Sequence, residues 1–140
     1  MIEEFRHGNE LYAIIIRAGF ARPGVHFVTP DHFSQQLGYM AHPAGHCIQP
    51  HFHREVRRDV HRTQEVLVLR KGKLRVDFYD SARQPVGTRL LVAGDVILLA
   101  GGGHGFEVLE PCEMFEIKQG PFVGEQDKQR FEPADRDGPA

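Results

Sequence analysis

Short apolar runs, each closed by a turn signal, set the pattern of this chain. Residues 11–16 read Leu-Tyr-Ala-Ile-Ile-Ile, which is β-branched and too short for a buried helix, so a strand is predicted. Arg22-Pro23-Gly24 marks a turn, and residues 25–28 and 37–41 predict two further strands. Between them, Thr29 as N-cap and Pro30 at the first helical position predict one short helical turn. Residues 45–53 alternate, which places Cys47, Gln49, His51 and His53 on one face of a strand. Residues 54–62 have no apolar period and carry Arg54, Arg57, Arg58 and Arg62 with Glu55 and Asp59, so a solvated loop is expected there.

In the second half, residues 65–70 and 74–79 flank Lys71-Gly72-Lys73, a hairpin signal. A polar turn containing Pro85 leads to a strand at 88–92, a tight Ala93-Gly94-Asp95 turn and a fully apolar strand at 96–99. Residues 106–109 and 114–117 predict the last two strands, split by Glu110-Pro111-Cys112. Residues 1–10 are polar and read as a loose arm or a short edge element. Short strands with turn signals roughly every 8–12 residues, and no long helix, are the spacing of an antiparallel all-β sandwich or barrel. A single domain over residues 1–120 is expected, followed by a charged, proline-containing extension over 121–140 whose end is predicted to be mobile.

Composition narrows the picture. A chain of 140 residues suits one domain and buries roughly 68–70% of its unfolded surface, so it needs no disulfide staples. A formal charge of −2 supplies no global basic field, which argues against a nucleic-acid partner. Cys47 and Cys112 form no C-x-x-C pair, as suits a reducing compartment. The apolar run at 11–16 is far below the roughly 20 residues of a membrane span, and no basic-then-apolar leader is present, so a cytoplasmic location is expected.

The candidate chemistry lies in the histidines. His51 and His53 share a face if residues 45–53 form a strand, Glu65 opens the next apolar run, and His104 follows Gly101-Gly102-Gly103. Three imidazoles and one carboxylate are a suitable shell for one divalent transition metal: Mn, Fe, Ni, Zn or Co. Gly45-x5-His51-x-His53-x11-Glu65-x6-Gly72 resembles the first cupin motif, G-x5-H-x-H-x3-4-E-x6-G. Gly94-x5-Ala100-x-Gly102-x-His104 resembles the second, G-x5-P-x-G-x2-H-x3-N. The gap between His53 and Glu65 holds eleven residues instead of three or four. Ala100 replaces the proline, His104 comes one residue early, and Val108 takes the asparagine position.

The resemblance implies an antiparallel jelly-roll β-barrel with a metal inside, held by His51, His53, Glu65 and His104. Gln64-Glu65-Val66-Leu67, Gly103-His104-Gly105-Phe106 and Lys118-Gln119-Gly120-Pro121 resemble a small cupin branch associated with surface-polysaccharide genes. The long insertion brings His61 near the mouth. Its arginines, Arg54 and Arg57 among them, suit a phosphate or carboxylate on a small polar ligand. Gln49 shares the inward face with the ligands, and Phe106 lies on a strand that lines the pocket. Glu116, if inward, is a candidate general base or a partner of a ligand imidazole. Two readings follow: a metal-dependent isomerase, epimerase or oxygenase, and a non-catalytic metal-bound binding or sensing module. Sheet edges at 11–16 and 25–28 are the expected sites of homodimer pairing.

Overall fold

A long two-stranded ribbon that folds back on itself is the frame of the molecule. The computed structural model describes residues 1–133. Its strands are β1 (Ile2–His7), β2 (Glu10–Ile16), β3 (Gly24–Phe27), β4 (Gly38–Ala41), β5 (Glu65–Tyr79), β6 (Pro85–Val92), β7 (Val96–Leu99) and β8 (Gly103–Lys118). The described residues contain no helix, and the main antiparallel sheet curls into a half-barrel, the jelly-roll-like class expected. Strand order is β1-β2-β7-β5-β6, with β8 on the other edge of β5; β3 and β4 form a separate two-stranded sheet. The expected mobile end of the extension, residues 134–140, lies outside the described residues.

β5 pairs with β8 from Glu65↔Lys118 to Tyr79↔Gly103. A straight strand rises roughly 3.3 Å per residue, so Glu65 and Phe78 would lie ~40 Å apart. Yet His104, opposite Phe78, reaches to 3.7 Å from Glu65. The ribbon must therefore bend, and its irregular pairings fall between Leu69 and Leu74. Gly72 sits in that bend at φ +95°, and a Cβ there would overlap the Pro111 carbonyl oxygen of β8. Only glycine meets both demands. The predicted hairpin at Lys71-Gly72-Lys73 and the predicted break at Glu110-Pro111-Cys112 are thus one shared corner of two continuous strands. Turn residues mark a corner as readily as a chain reversal.

The bend gives β5 two neighbours on its far edge. Its first arm pairs with β7 over Glu65–Val68, and its second with β6 over Lys73–Tyr79. Leu67, Leu69, Leu74, Val76 and Phe78 all enter one core with Phe5, Tyr12, Leu91 and Ile97. Phe5 stacks on Phe78 at 4.2 Å between ring centres. A smaller cluster on the opposite face holds Ile14, Val66, Leu98 and Ala100, with Phe33 and Leu37 against it. The tight turn before β7 is fastened by Asp95, which is buried. Its carboxylate accepts from Arg17 at 3.0 Å, Ala18 N at 2.8 Å and Val92 N at 2.8 Å. Arg17 also pairs with Glu3 at 2.9 Å, and that hydrogen bond holds the Glu3 carboxyl below its usual range.

Three further expectations need correction. Residues 45–53 form no strand; with 54–63 they run as irregular, exposed chain, and their alternation is left unpaired with any strand. By contrast, the short edge element expected within residues 1–10 is present as β1, paired along β2 with an irregularity between Phe5 and Arg6. The 11–16 strand cannot be an intermolecular edge, because β1 and β7 occupy both of its sides. Finally, the segment after Thr29 and Pro30 folds as turns without a helix.

Candidate functional site

Antiparallel partners directly opposite each other project to the same face of a sheet. Pairing therefore puts Glu116 beside Leu67, and His104 beside Phe78, on the core-facing side of the ribbon. Glu65 is on that side too, two residues before Leu67. The corner swings the two arms toward each other, so Glu65 and Glu116 from one arm meet His104 from the other. Gly102 and Gly103 lead into His104; a Cβ at Gly102, which has φ +66°, would run into the Tyr12 ring. The glycine run thus allows the backbone to pass close over β2 and deliver the imidazole.

Burial dominates the electrostatics of this group. Desolvation first, and then the charge and hydrogen bond of Glu116, push the Glu65 carboxyl above its ordinary value. Burial pushes the His104 imidazole below its ordinary value, against the opposing pull of Glu116. His104 is therefore held toward the neutral form, the form that coordinates metals. The 3.7 Å between His104 Nε2 and Glu65 Oε2 exceeds a hydrogen bond.

The three groups lie in a cleft of about 820 Å³. Phe106 lines it, as expected. So do several residues that were not singled out in the sequence: Arg75, Asp77, Asp127, Lys128 and Arg130. Arg75 is held by Asp77 at 2.9 Å and Glu107 at 2.6 Å. The extension closes one side of the cleft. Phe131 packs edge-on against Tyr79 at 5.2 Å, and Lys118 pairs with Asp127 at 2.9 Å. That contact holds the Asp127 carboxyl below its usual range. The other oxygen of Asp127, Oδ1, is buried without a hydrogen-bond partner among the described residues. The Arg75–Asp77 pair was visible as the polar half of the alternation at 74–79; no local pattern announced the tail.

The four expected ligands arrive as two pairs. Glu65 and His104 share the cleft floor, whereas His51 and His53 lie together on the exposed 42–63 segment, with ring centres 5.0 Å apart. The ring nitrogen Nδ1 of His51 donates to the Gln49 carbonyl at 2.9 Å. Among the described residues, no group of three or more His, Cys, Asp or Glu side chains is arranged to hold a metal ion. One chain thus supplies two of the four donors at the cleft. Gln49, Arg54 and Arg57 are exposed on the same segment and do not line the cleft. His61 is also exposed, 3.2 Å from Asp59, beside a shallow hollow with His32 and Phe33.

No helix among the described residues is long and apolar enough to cross a membrane. No protein-family model matches the chain, and no curated protein or solved structure matches it either.

Proposed function

We propose that the chain is a cupin-type protein that binds one divalent transition metal and a small polar molecule of sugar or carboxylate type. As a metal-dependent enzyme of the isomerase, epimerase or oxygenase kind, it would act on that molecule. The observation that carries this reading is the meeting of the half-buried Glu65 and His104, 3.7 Å apart, with Glu116 in one polar cleft. Burial disfavours charge on both Glu65 and His104, a cost that a bound cation would offset. Glu65 and His104, 3.7 Å apart, would be the residues of the cleft that hold such an ion. Such an ion, when bound, polarises an oxygen of the ligand.

The chain's own residues supply the rest. Glu116, which lines the same cleft and helps raise the Glu65 carboxyl, is positioned to accept and return a proton. Arg130 on the cleft wall, paired with Glu125 at 2.6 Å, is the cation nearest to hand for a carboxylate or phosphate on the ligand.

Metal analysis of the purified and reloaded protein tests this reading. About one ion per chain is expected, with loss in His104→Ala. A wild-type protein that takes up no ion at micromolar metal would overturn it. Turnover of sugar nucleotides or keto acids, abolished in Glu116→Gln with metal retained, would establish the enzyme. Ligand binding without turnover would point to the sensing module.

A further inference from the structure

We infer that the site is completed between two copies of this chain. The 42–63 segment of one copy adds as a strand to the open edge of β8 in the other, and carries His51 and His53 to Glu65 and His104. The ligand in this inference rests on the metal reading above; the strand exchange rests on separate observations.

The first is the division of the donors. Each pair is already assembled, His51 with His53 and Glu65 with His104, but the chain does not join the pairs. The second is the segment itself. Residues 42–63 are exposed throughout, and a single backbone–backbone hydrogen bond, His46 N to Pro43 O, is found within them. Ile48 is 60% exposed and Phe52 98%, although both alternate with the candidate inward face in the manner of a half-buried strand. A run with strand periodicity and free backbone groups is an edge-seeking element.

The third is the acceptor. Among the described residues β8, sixteen residues long, pairs only with β5, so its other edge presents unpaired backbone groups. Beside that edge the core-facing surface continues uncovered: Phe106 is 42% exposed, Val108 55% and Met114 37%, while their partners Val76, Leu74 and Leu69 are buried. Charge is complementary as well. The segment carries Arg54, Arg57, Arg58 and Arg62 against Glu55 and Asp59. β8 carries Glu107, Glu110, Glu113 and Glu116 against Lys118, with Glu113 and Glu107 already meeting Arg70 and Arg75.

The chain's own segment is seated elsewhere. Residues 59–62 line a hollow with His32, Phe33 and Ser34, and Arg62 lies 4.0 Å from Glu10 of β2. A second copy meets the same demand reciprocally, with two-fold symmetry and two identical sites.

Complementation between two broken chains tests the exchange. His51→Ala/His53→Ala and Glu65→Gln/His104→Ala would be produced together under two affinity tags and the mixed dimer isolated. Each double variant alone should hold no ion. The mixed dimer should hold one, against two in the wild-type dimer, because one of its shared sites keeps all four donors. If the second variant fails to fold, His104→Ala alone takes its place. Phe52→Asp supplies a readout that needs no metal: the wild type should sediment at twice the 15.9 kDa chain mass and this variant at one. A metal-binding wild type whose mixed dimer holds no ion overturns the exchange alone. A wild type that binds no ion, yet becomes monomeric with Phe52→Asp, overturns the metal reading and leaves the exchange standing. A wild-type monomer at tens of micromolar also overturns the exchange.

Discussion

β5 and β8 are partners along their whole length, are almost equal in length and turn the same corner, yet they live in different solvents. Leu67, Leu69, Leu74, Val76 and Phe78 of β5 are buried. The β8 residues opposite three of them, Met114, Val108 and Phe106, face water. The apolar pattern of the two strands does not explain this. Neighbours do: β5 has β8 on one edge and β6 and β7 on the other, whereas β8 has β5 alone among the described residues. Alternation in a strand states which face wants burial, and only the flanking elements decide whether burial occurs.

The contrast can be broken most severely at the corner. Gly72→Val adds a side chain where φ is positive and the Pro111 carbonyl stands in the way, so a loss of about 4 kcal/mol or more is expected, read by urea denaturation. Next comes the far edge of β5, where the Asp95 turn docks on Leu69 through Gly94 N and Leu69 N. Asp95→Ala leaves Arg17 and two backbone donors without their acceptor, and about 3–4 kcal/mol should be lost.

Leu74 and Val108 compare the two strands directly, because they are opposite each other. Leu74→Ala should cost about 3 kcal/mol at any concentration. Val108→Ala should cost about 0.5 kcal/mol or less in dilute protein and more as concentration rises and a partner strand covers it. Equal, concentration-independent losses would show that β8 is covered within its own chain.

The smallest effect concerns the cleft floor. Glu65 has a raised pKa in the fold, so its contribution is fully present below the ordinary carboxylate range and is lost as pH rises through the raised value. Metal-free protein should therefore lose some stability from this group as pH rises from about 4 toward 7. Glu116→Gln removes one cause of the raised pKa and should recover less than about 1 kcal/mol at neutral pH. Thermal unfolding of both proteins across that pH range gives the comparison; identical pH profiles would mean that the two carboxyls do not interact.

Much of the fold was legible because its determinants are local. The apolar runs at 11–16, 65–70, 74–79 and 96–99 become buried strand, since β-branched and alternating stretches carry their own preference. The candidate site was legible in part. Glu65 and His104 converge to 3.7 Å, and Glu116 lines the same cleft. His51 and His53 remain a pair on the segment between β4 and β5, since a local pattern names a strand but supplies no edge for it. The cleft wall from Asp127 to Phe131 escaped notice, because a charged tail looks the same whether it is solvated or folded back on Tyr79.

By itself, then, the sequence determined that the apolar runs at 11–16, 65–70, 74–79 and 96–99 extend and which of their faces are apolar. These follow from side-chain period and backbone sterics, both short-range. Tertiary structure alone decided that Lys71-Gly72-Lys73 is a corner instead of a hairpin and that β8 is left with a free edge. It also decided that Glu65 and His104 meet across some forty residues of chain. Those outcomes depend on which strands pair, a choice made by the whole set of buried contacts and by no one stretch of residues.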